Sequence, residues 1–333
     1  FTRTDGPVNN PAILSTLTVQ GNFSMQGTDA FGGPNLAVVM GGGNNQTVTE
    51  SAGTIAGSFQ INKNGGNATL STNVVTSGRC AIAEGTLKTN GKTFSCGSAF
   101  SVEDGGILER FGTAGEAVSP FTLQTGSTVV YTGDGDGAAD TVTIAPVIYH
   151  HLTLNSTDGT RDTFQPTSAL DVNGNLTIAN GELRLDVNNP TVTVAGNVTI
   201  GSSVLVRKGK GTWRFDGGDT ALLQTNNQNF GAIMIDGVAK TVKLTGSSTA
   251  LDTLTIGADD VVELNGVPTV AIGTIVNNNI LRLFGNETLT IQTMDSDSGT
   301  FEFVGDGDGS AETFVIPDFA SGTPDYYNLL IND

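Results

Sequence analysis

The densest chemistry in the chain is a run of carboxylates separated by glycines. Tyr131-Thr-Gly-Asp-Gly-Asp-Gly-Ala-Ala-Asp140 gathers Asp134, Asp136 and Asp140 in one short segment. Phe303-Val-Gly-Asp-Gly-Asp-Gly-Ser-Ala-Glu312 repeats the arrangement with Asp306, Asp308 and Glu312. Alternating Asp places oxygens on one side of a tight loop, and the glycines allow the curvature. Hard oxygen donors collected this way suit a hard divalent cation, calcium first. The spacing matches the opening of a calcium loop. It lacks the third Asp or Asn before the glycine and the distal bidentate Glu that complete an EF-hand loop. A plain Asp-Gly turn is the competing reading. Asp216-Gly-Gly-Asp219 falls at the same phase with its carboxylates thinned, and Asp295-Ser-Asp-Ser-Gly299 is a weaker version.

Other reactive side chains are few. The two cysteines, Cys80 and Cys96, stand 16 residues apart. Their spacing suits a disulfide between neighbouring coils in an oxidising, extracellular setting, against the alternative of two buried thiols. His150 and His151 open a strand, so their rings are expected on opposite faces, as surface or turn histidines. No Gly-x-Ser-x-Gly elbow, His-Glu-x-x-His pair or phosphate loop ending in Lys-Ser/Thr occurs, and the chain is read as non-enzymatic. A glycosidase pair on a solenoid face is geometrically open, but the turns are short and Trp213 is the single tryptophan. It is assigned to core or strand-face packing. Arg207-Lys-Gly-Lys-Gly211, the one basic cluster, reads as a solvated turn or as a contact for an acidic neighbouring subunit. Asn-x-Ser/Thr sequons begin at Asn22, Asn45, Asn67, Asn155, Asn175, Asn197 and Asn286, about as many as this composition gives by chance.

Strands must position these groups. Across 333 residues there are 45 glycines, 14% charged and 37% apolar residues, and the apolar ones are mostly Val, Ile, Leu and Ala, a thin core that favours strands. No helical periodicity persists over three turns. A net charge of -18 repels nucleic-acid phosphates and anionic lipid. No apolar run is long enough to span a membrane as a helix. The motif apolar-x-apolar-x-Gly-Asn-apolar-Ser/Thr-apolar recurs at 17–25, 170–178 and 192–200, and its last two copies are 22 residues apart. Period-two segments such as Thr-Val-Thr-Val, punctuated by Gly-Asn and Asp-Gly, fit a parallel β-solenoid of roughly 15 coils of about 22 residues, a rod of the order of 70 Å. Tandem β-sandwich domains are the alternative.

Two longer landmarks recur. Gly/Ser-Thr-x-x-aromatic-x-Gly occurs at 127–133, 211–217 and 299–305, and a short strand ending in Asn or Asp at 58–62, 151–155, 232–236 and 328–332. They suggest an N-terminal extended arm over 1–16 and a solenoid over 17–333, with super-repeats near 17–62, 63–155, 156–236 and 237–333. Asn328-Leu-Leu-Ile-Asn332 reads as the first half of a unit whose second half is Leu17-Thr-Val-Gln-Gly-Asn-Phe-Ser-Met25. That complementarity predicts head-to-tail stacking through Leu17, Val19, Phe23, Tyr326, Tyr327, Leu329, Leu330 and Ile331, a heterologous contact that builds filaments.

The Gly-Asn-Leu-Thr-Ile and Gly-Thr-Leu repeats, with Tyr-x-Leu-x-Ile-Asn strands between them, resemble the repeat regions of large secreted bacterial or archaeal surface proteins. These include adhesin-like and filamentous-haemagglutinin-like β-solenoids. The resemblance implies an extracellular or cell-surface location and a structural or adhesive role. The expected partner is a second copy of the chain, with surface glycans or other cells as the adhesive alternative.

Overall fold

The computed structural model describes residues 2–3, 15–158, 161–305, 314, 316–319 and 325–332. Among these residues the chain is all-β with no helix, a parallel β-solenoid of about 14 turns spaced about 21 residues apart. Every described ladder in the two compact units below is parallel, as in Ser15↔Leu36, Ala37↔Ser58 and Cys80↔Phe100. Sandwich domains, built from antiparallel strands, are thereby excluded.

The chain divides into two compact units, 1–143 with 149–162, and 144–148 with 163–333. In the first unit each turn supplies up to three short strands. One face carries Ser15–Val19, Leu36–Gly41 and the start of Ser58–Leu70; a second carries Phe23–Met25 and Gln46–Glu50; a third carries Ala30–Phe31, Thr54–Ile55, Val74–Thr76 and Phe94–Cys96. Inward residues alternate with outward ones, so Phe23, Met25, Val48 and Leu70 are buried while Thr49 between them is not. Because one turn cannot cover its own inward row, stacking buries it. The rings of Phe59, Phe94, Phe100 and Phe121 follow one another edge to face at 6.0, 5.2 and 6.0 Å.

The second unit repeats the plan. Val192–Val194 lies between Leu170–Val172 and Thr212–Phe215, with Trp213 buried against Phe230 at 5.2 Å. Outward positions in register make a ladder of alternating charge. Lys243, Glu263, Arg282 and Glu302 face one another on four successive turns, with ion pairs of 2.8, 3.4 and 2.8 Å. Arg207 pairs with Glu182 at 2.5 Å and Lys208 with Asp252 at 2.5 Å, so two residues of the basic cluster are engaged within the unit.

The Gly-Asn motif marks a corner between faces. Asn22 Oδ1 accepts the Thr47 N–H, Asn45 Oδ1 that of Asn67, Asn175 Oδ1 that of Asn197, and Asn197 Oδ1 that of Leu222, all at 2.8–3.0 Å. Each asparagine thus satisfies a backbone donor on the next turn, where the corner interrupts the ladder. Four of the seven sequon asparagines hold this structural post.

Two expectations are corrected. Cys80 and Cys96 form a disulfide, but it joins two faces of one turn rather than neighbouring coils. The next turn begins at Phe100, which pairs with Cys80. His151 opens the strand His151–Asn155 and His150 stands at the corner before it, but their rings meet edge to face at 4.2 Å rather than pointing apart. His150 Nδ1 accepts the Gly126 N–H at 3.0 Å.

Candidate metal centre

The parallel pairing of Thr128–Tyr131 with His151–Asn155 fixes the site. Thr128 faces His151 and Tyr131 faces Leu154, so the loop that follows each strand lies beside the loop of the next turn. Val129, Tyr131, Leu152 and Leu154 point inward and are fully buried. Beneath them the Tyr131 and Tyr149 hydroxyls share a hydrogen bond of 3.0 Å.

Above this anchored base, Gly133, Gly135 and Gly137 take left-handed φ of 70°, 75° and 88°, a conformation costly for residues with a Cβ. The backbone coils so that carboxylate oxygens of Asp134, Asp136 and Asp140 all lie within 4.8 Å of one another. Asp134 Oδ1 accepts the Asp136 N–H at 3.2 Å, and Asp136 Oδ1 accepts the Ala138 N–H at 2.7 Å. Among the described residues this is the one group of three or more metal-binding side chains so close together.

Two further carboxylates come from the following turn. Asp158 Oδ1 accepts the Gly137 N–H at 2.9 Å, and Asp162 Oδ1 accepts the Asp140 N–H at 3.0 Å. Ser156 Oγ donates to Asp162 Oδ2 at 2.7 Å. A Cβ at Gly133 would sit 2.0 Å from Asp162 Oδ2 and 3.2 Å from Asp158 Oδ2, so glycine is required where the two turns converge. None of the ion pairs among the described residues involves these five aspartates. Desolvation, then the neighbouring Asp134 and Asp136 charges, push the Asp140 carboxyl above its usual range. Desolvation likewise raises Asp162. The arrangement is an oxygen-rich, electronegative loop pair suited to a hard cation.

Sequence reasoning missed Asp158 and Asp162. Their signal was the coil period itself, since Asp162 lies 22 residues beyond Asp140. Asp306, Asp308 and Glu312 lie outside the described residues. Asp295 serves its own corner, with Oδ2 accepting the Asn277 N–H at 2.9 Å and Oδ1 the Asp297 N–H at 3.2 Å.

The residues expected at a stacking interface separate into two sets. Val19 and Phe23 are core residues at 5% and 1% exposure, because their side chains alternate inward. Phe23–Met25 is flanked by Thr2–Arg3 and Gln46–Glu50. Tyr326 packs on Phe301 at 5.1 Å and donates its hydroxyl proton to Pro317 O at 2.6 Å. Leu17 is partly buried, and Tyr327, Leu329, Leu330 and Ile331 are exposed. No family model matches the chain, and no curated protein or solved structure matches it either.

Proposed function

We propose that the chain is a structural subunit of an extracellular filament, extended by adding solenoid turns across subunits. The observation that carries this reading is the strand Asn328–Ile331. It pairs in parallel with Thr300–Phe303 on one side. Leu329, Leu330 and Ile331 are 44–56% exposed, whereas Phe301 and Phe303 on the preceding rung are 2% exposed. Among the described residues no strand pairs with its other edge, and an apolar strand with such an edge is a template for strand addition. Ser15–Val19, whose described ladder runs to Leu36–Gly41, is the strand we assign to meet it on a second copy. The disulfide fits an oxidising compartment. Calcium on the acidic loops would stiffen the filament. The role is structural rather than catalytic.

A repeat segment of a longer adhesin or stalk, contacting surface glycans or other cells, is the second reading. In it the same exposed strand is covered by further turns of one chain. Electron microscopy of the purified protein at high concentration separates the two. Unbranched filaments are expected from the intact chain, and single folded particles from a variant lacking residues 325–333. Filaments from the truncated chain would overturn the strand-addition mechanism; isolated particles of the intact chain under every condition would favour the stalk.

A further inference from the structure

We infer that the aspartate loops form an inter-turn calcium clamp, in which Asp158 of one turn completes a site opened by Asp134, Asp136 and Asp140 of the turn before. The inference rests on the calcium part of the function proposed above and is independent of end-to-end growth.

Three clustered carboxylates alone are common on acidic surfaces. The distinguishing observation is Asp158, only 8% exposed. Its Oδ1 accepts the Gly137 N–H, but its Oδ2 is buried without any hydrogen-bond partner. A buried, unsatisfied carboxylate oxygen is costly unless something cationic or protic meets it. That oxygen lies 3.2 Å from the position a Gly133 side chain would take. It stands at the root of the loop that carries the three clustered aspartates, where the Asp162 carboxylate approaches the same position. Asp162 is spoken for by Ser156 Oγ and the Asp140 N–H, which makes it a positioning residue rather than a ligand. It holds the end of the 134–140 loop against the next turn.

Calcium takes about six to eight oxygens at about 2.3–2.6 Å and tolerates irregular geometry. Four carboxylates from two turns, with water, meet that demand, whereas the small, rigid shell of magnesium is a poorer fit. Because the ligands come from successive turns, binding draws the two loops together and stabilises the stack locally.

The test uses the full chain, freed of divalent ions, titrated with calcium chloride by isothermal calorimetry beside D158N and D136N. We expect saturable calcium binding, and at least a tenfold weaker dissociation constant or the loss of one bound ion in both variants. D136N changes an exposed loop residue, so it reads the site even if D158N fails to fold; circular dichroism establishes folding. Hydrogen exchange gives the second readout, with calcium slowing the Gly137 and Asp140 amides in the wild type and not in D158N. No binding to the folded wild type at millimolar calcium would overturn the clamp, and the orphan oxygen would then be carrying a proton. Unchanged binding in folded D158N would overturn the role of Asp158 while leaving a single-loop site. Neither result bears on whether the chain forms filaments.

Discussion

Glu50 gives the sharpest test of the energetics of stacking. It is 7% exposed at the end of Gln46–Glu50, and its Oε2 accepts the Val75 N–H of the next turn at 2.9 Å. Burial pushes its carboxyl from 4.5 up to about 7, against the opposing effect of the Val75 hydrogen bond. Each pKa unit corresponds to about 1.4 kcal/mol. The whole shift would amount to roughly 3 kcal/mol, and partial solvent access reduces this to about 2 kcal/mol. The folded-state pKa is the higher one, so the folded chain keeps its proton where the unfolded chain has released it. Stability from this group is therefore fully present below pH 4.5, falls as pH rises, and is lost above about pH 7. The perturbation is Glu50→Gln, which is neutral at every pH and keeps an acceptor for Val75. Urea unfolding followed by circular dichroism, in chelator and at half-unit pH steps, gives both curves. The wild type should lose about 2 kcal/mol relative to E50Q between pH 4.5 and 7.5. A wild-type-minus-variant difference that is flat over this range, or that grows with pH, would refute the burial argument.

Two further outcomes are expected. The Cys80–Cys96 disulfide closes a loop with a sequence separation of 16, so the double Ser variant should lose about 3 kcal/mol in equilibrium unfolding; a loss under 1 kcal/mol, on the same scale, would mean the turn is held without it. Lys63, 1% exposed, donates to Gly42 O, Asn44 O and Gln46 Oε1 at 3.2, 2.8 and 2.7 Å, while Gln46 Nε2 donates to Val19 O and Gly21 O. Lys63→Met leaves three acceptors unmet across the first turns and should cost about 2 kcal/mol despite its similar size; a neutral effect in thermal unfolding would show that water replaces the ammonium.

The turn length was legible because it is a local property. Leu170–Val172 and Val192–Val194 carry the same alternation and the same Gly-Asn corner, and the structure pairs Leu170 with Val192. The super-repeat was read from motifs that do not keep to one face. Ser58–Leu70 begins on the face of Leu36–Gly41, whereas His151–Asn155 lies on the face of Thr128–Tyr131. All faces ask for the same inward alternation, so a strand motif says that a rung exists without saying which side of the coil it builds. The disulfide was legible as a pair, but its placement required knowing that Cys80 opens a turn and Cys96 ends the last strand of that same turn.

The acidic loop exposes the deeper limit of linear reading. Asp134, Asp136 and Asp140 were found because their spacing is visible within ten residues. Asp158 was overlooked because its significance lies across the coil, where Gly137 N–H meets it at 2.9 Å. In a solenoid, a residue's nearest chemical neighbours are the ones about 21 positions away. The asparagine corners obey the same rule, since Asn175 serves the amide of Asn197 and Asn197 that of Leu222. So does the charge ladder through Lys243, Glu263, Arg282 and Glu302. A site in such a chain is therefore a column, and its composition is read down successive turns rather than along one. Read that way, the column holding Asp136 and Asp158 is acidic on both turns, whereas the ladder at Lys243 alternates in sign. The ladder neutralises itself. The aspartate column does not, and that imbalance is the physical reason to expect a cation there.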